Sequence, residues 1–288
     1  MATPPSGPPA SRFADLKIRI VSAVGAAAVG LTLVWLGGVW TMGLIALLSG
    51  AMIWEFRSIT VNGGTLNGGA ARGGSGAATF LLSGVVGGVA VAQLWSVPAG
   101  FAWLAWSLAA AAVADLAAGR RRAMGWGLAG GAYIGAAGIG FLYLRAMEPH
   151  GFNIALWVFL VVAAADVGGY FAGRLIGGPK LWPRVSPKKT WAGVGGGVVL
   201  ATGLGGLFSW ASTGTNLPQV AAVSVVVAVL SQGGDLAESA LKRHFGVKDS
   251  GRLLPGHGGA LDRFDGLAAA VLAVALITWW RGTTIFVW

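Results

Sequence analysis

Residues 153–172 read NIALWVFLVVAAADVGGYFA, and the single charge in that run is Asp166. A helix needs about 20 mostly apolar residues to cross the hydrocarbon core of a bilayer. An ionised carboxylate at the centre of such a helix costs on the order of 2.5–3.5 kcal/mol, so it faces a protein interior or a wet cavity and usually marks a functional path. The stretch therefore gives both the solvent of this chain and a place to look for its chemistry.

Working outward, windows of the same character recur at 18–36, 38–56, 77–97, 99–118, 126–146, 191–211, 218–241 and 264–282. With 153–172 they predict an all-α, polytopic integral membrane protein of about nine transmembrane helices. Gly37-Gly38 is the only break between the first two spans. Composition agrees: 55% of the 288 residues are hydrophobic, only 10% are charged, and the mean hydropathy is +0.72. Soluble domains carry about 25% charged residues, so too few polar side chains remain to cover a water-facing surface. The 49 glycines suit helices that pack closely in lipid, and the 14 tryptophans suit membrane interfaces. The absence of cysteine excludes disulfides, thiolate metal sites and a Cys nucleophile.

Residues 1–17 form the expected N-terminal tail, with 1–11 rich in Pro, Ser and Ala and expected to be disordered. No cleavable signal peptide is expected. Residues 62–76 read as a Gly-rich mobile loop. Two regions follow from the chemistry: N-terminal helices over 18–150 and a catalytic region over 151–288. With the N-terminus in the cytoplasm, 18 of the 20 Lys and Arg residues fall on the inner side, and only Arg145 and Arg281 fall outside. That bias satisfies the positive-inside rule and accounts for the run Arg120-Arg121-Arg122. It also answers the net charge of +10: the cations lie between spans rather than along one soluble face, so no nucleic-acid partner is expected.

The acidic residues are informative by position. Asp15, Glu55 and Asp115 lie near predicted helix ends in the N-terminal half, where a structural role suffices. Asp166 and Asp235 lie about six residues, roughly 9 Å, below the cytoplasmic ends of their helices. Asp235, Glu238, Ser239 and Lys242 follow at i, i+3, i+4 and i+7, one face of a helix. Asp262 and Asp265 repeat the i, i+3 relation at the start of the last helix, where paired carboxylates suit a hard cation. Between them run Lys248-Asp249-Ser250-Gly251 and Pro255-Gly256-His257-Gly258-Gly259, whose glycines allow amides to close on phosphate oxygens. A second polar segment holds Gly173-Arg174 and then Ser186-Pro187-Lys188-Lys189-Thr190-Trp191 at a helix start, where amides and dipole favour an anion. All of these lie at the cytoplasmic ends of spans six to nine. Carboxylates for a divalent cation beside lysines for phosphates, at the level of the lipid headgroups, point to phosphoryl chemistry on a lipid.

At these residues the chain resembles the phosphatidate cytidylyltransferases. Ser239, Lys242-Arg243, Lys248-Asp249, Pro255, His257-Gly258-Gly259, Asp262-Arg263 and Asp265 are similar to that family's signature. So are Asp166, Tyr170, Gly173-Arg174 and the run Ser186 to Trp191. The similarity spans residues 160–270. Ala192 and Ala165 depart from it, where Glu and Asn are usual, and Ala260 replaces a larger apolar residue.

The resemblance implies a multi-pass enzyme of the inner membrane, a homodimer, with a polar cavity open to cytosol and bilayer. It implies CTP and phosphatidic acid as substrates, Mg²⁺ as cofactor, and K⁺ as a second cation. By carry-over, Asp235 and Asp262 are the prime metal ligands, with Asp265, Ser239 and Asp166 behind them. Lys242 joins the three C-terminal aspartates as catalytic. Substrate contacts fall to Arg174, Ser186, Lys188, Lys189, Thr190, Ser239, Arg243, Lys248, Asp249, His257 and Arg263. Two rivals remain: a CTP-dependent enzyme acting on another lipid phosphate, and a transporter. A transporter would place its ionisable groups near the bilayer midplane between pseudo-symmetric halves.

Overall fold

The computed structural model describes residues 12–62, 75–214, 217–251, 253 and 258–287. The start of the N-terminal tail, most of the Gly-rich loop, and Pro255, Gly256 and His257 lie outside the described residues. Among the described residues there are nine helices: α1 (Arg12–Leu36), α2 (Gly38–Asn62), α3 (Ser75–Leu94), α4 (Val97–Ala117), α5 (Arg121–Arg145), α6 (Gly151–Leu175), α7 (Trp191–Thr213), α8 (Leu217–His244) and α9 (Leu261–Arg281). Each expected span falls on one of them, because run length is the strongest signal an apolar helix leaves. Seven, α2 to α8, are long and apolar enough to cross a membrane. The protein is an all-helical polytopic membrane protein. α1 begins at Arg12, so helix already covers residues that the sequence reading gives to the tail.

One element was not expected. Residues 180–190 form a short antiparallel hairpin, β1 (Lys180–Trp182) and β2 (Ser186–Thr190), with Lys180 opposite Thr190 and Trp182 opposite Ser186. Thr190 then turns the chain directly into α7, its Oγ1 accepting from Gly193 N at 3.0 Å as an N-cap.

Successive helices alternate in direction, and contacts fix which ends meet. Arg57 and Asp115, near the C-terminal ends of α2 and α4, pair with each other, and Arg57 also donates to Ala123 O at the start of α5. Lys242, at the end of α8, pairs with Asp262 at the start of α9. Lys189 beside the start of α7 reaches Asp235 on α8. These side chains share one end of the bundle. At the other end Arg145, closing α5, donates to Val34 O at 2.7 Å and Trp35 O at 3.0 Å, the open carbonyls of α1. A cation at a helix C-terminus satisfies acceptors that no backbone amide can reach. That is the job of one of the two basic residues outside the positive-inside pattern. The corner it braces turns on Gly37, whose φ of +71° only glycine adopts readily, so α1 and α2 are separate helices.

α5 is the central helix, more deeply buried inside the protein than the other spanning helices. Its glycines let neighbours press in: Phe56 against Gly130, Leu81 and Leu108 against Gly131, and Leu104 against Gly135. The tightest seam joins α6 and α7. A Cβ on Gly168 would lie 2.6 Å from Gly196 O, and one on Gly193 would lie 2.9 Å from Gly169 O. Small residues give this approach where no hydrophobic effect acts between helices. The seam sets the polar ends of α6 and α7 side by side. Exposed Trp35, Trp40, Trp95, Trp210, Trp279 and Trp280 collect at the end opposite the polar cluster, as an interfacial belt would.

Candidate active site

The C-terminal end of α6, the hairpin, the start of α7 and the middle of α8 enclose a half-open cavity of about 370 Å³, within the range of small-molecule sites. Its polar lining is Asp166, Tyr170, Arg174, Lys188, Lys189, Thr190, Gln232 and Asp235. Five expected site residues from three separate elements, Asp166 and Arg174 on α6, Lys188 and Lys189 on the hairpin and Asp235 on α8, thus converge on one hollow. Thr190 lines it too, but its oxygen already caps α7.

Lys189 organises the cavity. Its Nζ lies 2.6 Å from Asp235 Oδ2 and donates to Gln232 O at 3.3 Å, pinning the hairpin to α8. Ser239, one turn on, donates to Asp235 Oδ1 at 3.4 Å. Arg174 donates to the Tyr170 hydroxyl at 2.8 Å, which holds the guanidinium at the cavity edge. Asp166 and Asp265 both lie within electrostatic range of Asp235. Asp265 is buried, and its Oδ1 accepts from Gly266 N at 2.7 Å.

A second polar group lies beside the first, where α8 hands over to α9. Lys242 Nζ is held between Glu238 Oε2 at 2.5 Å and Asp262 Oδ1 at 2.6 Å. Asp262 also accepts from Ser250 N at 3.0 Å and from Gly259 N at 3.1 Å. Asp262 precedes the apolar stretch of α9. Burial alone would raise its pKa, but the hydrogen bond and charge of Lys242 and the Ser250 amide outweigh that and hold the carboxyl below its usual range.

The other candidates lie elsewhere. Arg243, Lys248, Asp249 and Arg263 are exposed at the same end of the bundle, and none lines the cavity. Ser186 faces Trp182 across the hairpin and is not a lining residue either. His257 lies outside the described residues.

The sequence alone assigns no site role to three contributors. Gln232 lines the cavity but is one uncharged amide in an apolar run. Glu238 stands on the recognised polar face of α8, four residues before Lys242, and that spacing already signals the pair. Glu55 reaches this end of the molecule from α2. Its Oε2 accepts from Ser250 Oγ at 3.0 Å and from Leu261 N at 2.9 Å, and nothing local in the sequence announces it.

The elements define a class. A bundle of lipid-spanning helices with a cavity at one end, lined by both cations and carboxylates, is an integral membrane enzyme for phosphate-bearing substrates. The model of the cytidylyltransferase family matches residues 17–280. A phosphatidate cytidylyltransferase of Brucella suis biovar 1 is 38% identical over 265 residues, covering 92% of this chain and 93% of its own. Another, from Staphylococcus haemolyticus, is 48% identical over 130 residues, 44% of this chain and 50% of its own. This chain belongs to the cytidylyltransferase family.

Proposed function

We propose that this chain transfers the cytidylyl group of CTP to phosphatidate, giving CDP-diacylglycerol and pyrophosphate, and that the cavity between α6, the hairpin, α7 and α8 is where CTP binds. The observation that carries the second part is the lining itself: the cations Arg174, Lys188 and Lys189 and the carboxylates Asp166 and Asp235 share one hollow. In the reaction a phosphate oxygen of phosphatidate attacks the α-phosphorus of CTP. The bond from that phosphorus to the α–β bridging oxygen breaks, and pyrophosphate leaves with the electron pair. The nucleophile is already an anion at neutral pH, so no general base is needed. The obstacle is repulsion between two polyanions, and catalysis is neutralisation and alignment.

The residues do this in order. Arg174, fixed by Tyr170, presents a planar fork to phosphate oxygens. Lys188 and Lys189 add point charges at the start of α7. Lys189 is shared with Asp235 until a phosphate competes for it. Glu238 and Asp262 hold Lys242 beside the cavity and keep its ammonium from wandering.

Among the described residues no three His, Asp or Glu side chains converge closely enough to hold an ion alone. Mg²⁺ does not need such a cage, because it is commonly bound through one or two carboxylates plus substrate phosphates. Asp235, with Asp166 and Asp265 in electrostatic range, fits that pattern, and a second cation such as K⁺ would draw on the same carboxylates. Asp262 would join only by releasing Lys242 or its two amides. When bound, Mg²⁺ supplies neutralising charge to the phosphate oxygens.

The cytoplasmic orientation of the site is supported by the basic residues that gather at its end of the bundle. The inner bacterial membrane and the homodimer rest on the family resemblance. The test is direct. Purified protein in detergent, given CTP labelled at its α-phosphate, phosphatidate and Mg²⁺, is expected to yield labelled CDP-diacylglycerol and one pyrophosphate per lipid. Label in a different lipid phosphate, with none from phosphatidate, would favour the related enzyme instead.

A further inference from the structure

We propose that Glu55 is a positioning residue for cytidylyl transfer: from α2 it fixes the segment joining α8 to α9 and, through that segment, the Asp262–Lys242 pair. This rests on the reading that Asp262 and Lys242 serve the site. Glu55 is only 2% exposed. Leu261, whose amide it accepts, is the first residue of α9, and such an amide has no partner within its own helix. The residue at the local N-cap, Ala260, makes no side-chain cap. A carboxylate from a distant helix takes over that work, where the helix dipole favours negative charge.

The contact continues inward. Ser250 donates its hydroxyl to Glu55 and accepts from Asp262 N at 3.3 Å, while its own amide donates to the Asp262 carboxylate. Glu55, Ser250, Asp262, Lys242 and Glu238 therefore form one connected chain from α2 to α8. Gly251 and Gly259 lie flat against it. A Cβ on Gly251 would strike the Glu55 carboxylate, and one on Gly259 would lie 2.6 Å from Glu55 Oε2. Fastening α2 to α9 would not require an acid. An apolar side chain could fill the gap, with a Ser or Asp at 260 as cap, and no carboxylate would have to be buried. What the acid adds is control over where Ser250 and Asp262 stand.

The test uses purified full-length protein and steady-state transfer kinetics on Glu55→Leu, Glu55→Gln, Ser250→Ala, the Glu55→Leu/Ser250→Ala double variant and Asp262→Asn. Glu55→Leu keeps the volume and removes the acceptor. Its kcat is expected to fall about 100-fold, the scale of a misplaced catalytic group, with KM for CTP held within about three-fold. Glu55→Gln keeps an acceptor oxygen and should recover most of that loss. The double variant should lose much less than the product of the two single losses, because both changes break the Glu55–Ser250 contact. Wild-type kcat in folded Glu55→Leu overturns the proposal, even if its thermal midpoint drops, and so do losses that multiply in the double variant. Should Glu55→Leu not be recovered folded, Ser250→Ala decides: a kcat about 10-fold down supports the role, and an unchanged kcat refutes it. Asp262→Asn separates the two readings. Wild-type turnover there removes the site assignment, and with it this proposal. Loss there with normal turnover in Glu55→Leu removes only the role of Glu55.

Discussion

Asp235→Asn is expected to lower the rate of CDP-diacylglycerol formation by about 100- to 1,000-fold while leaving the protein folded in detergent. Asparagine has nearly the same shape as aspartate, so α8 keeps its packing. The change removes the anionic oxygen that holds Lys189 at 2.6 Å and that a magnesium ion would need. A strut that only held the hairpin to α8 would behave differently. Asp235 and Lys189 keep 39% and 22% of their side-chain surface exposed, and partly solvated pairs of this kind contribute about 0–1 kcal/mol to stability. A folded protein with a large loss of turnover therefore speaks for chemistry, and full turnover with a lowered thermal midpoint speaks for the strut.

The second large effect is expected at Asp262. Its carboxylate accepts from Lys242, Ser250 N and Gly259 N at once. Asparagine offers one acceptor oxygen and one NH₂, so at least one of these donors must then face another donor. Leaving a buried group unsatisfied costs about 1–3 kcal/mol, more when it is charged, and the strain falls on the segment around Ser250 and on Lys242. Lys242 would retain only Glu238 and shift toward it. Turnover in Asp262→Asn is expected to fall about 100-fold or more, measured with labelled CTP on monodisperse protein. Near wild-type turnover would mean that the Asp262–Lys242 pair lies outside the reaction path.

The buried ion cluster of α2, α4 and the turn into α5 is a useful contrast. Arg57 lies 2.6 Å from Asp115, Arg120 lies 3.2 Å from it, and Asp115 is 1% exposed. Breaking such a pair by removing one partner costs about 3–5 kcal/mol because a charge is left buried. This cluster ties helix ends together away from the cavity, and its carboxylate is surrounded by the cations it needs.

Much of this was legible in the sequence, for identifiable reasons. Helices in lipid announce themselves by length alone, so the apolar runs located every one, including the pair parted only at Gly37. Alternation of successive helices then put Asp166, Arg174, Lys188, Lys189 and Asp235 at one end without any knowledge of packing. The hairpin at 180–190 was invisible because Lys-Leu-Trp-Pro-Arg-Val-Ser-Pro-Lys-Lys-Thr shows no two-residue alternation and carries two prolines. Spacing tells which face of a helix a side chain leaves from, and not which partner it finds. Asp262 and Asp265, one turn apart, point to different duties for that reason: the first turns back to two amides and a lysine, and the second is buried near Asp235. In sequence Glu55 looks like a helix-end carboxylate and nothing more, because its partners, Ser250 and Leu261, are 195 and 206 residues away. No local pattern can encode a contact of that range.

Equilibrium binding of labelled CTP to the purified protein without lipid, compared across the basic residues of α6 and the hairpin, tests the location of the nucleotide most directly. Arg174→Ala, Lys188→Ala and Lys189→Ala are each expected to weaken Kd by about 10- to 100-fold, the worth of a charged hydrogen bond to phosphate. Lys180→Ala and Arg184→Ala, exposed on the same hairpin but outside the cavity, should leave Kd within about two-fold, as screened surface charges do. Equal losses at all five positions, or none at the first three, would mean that CTP binds somewhere other than this cavity.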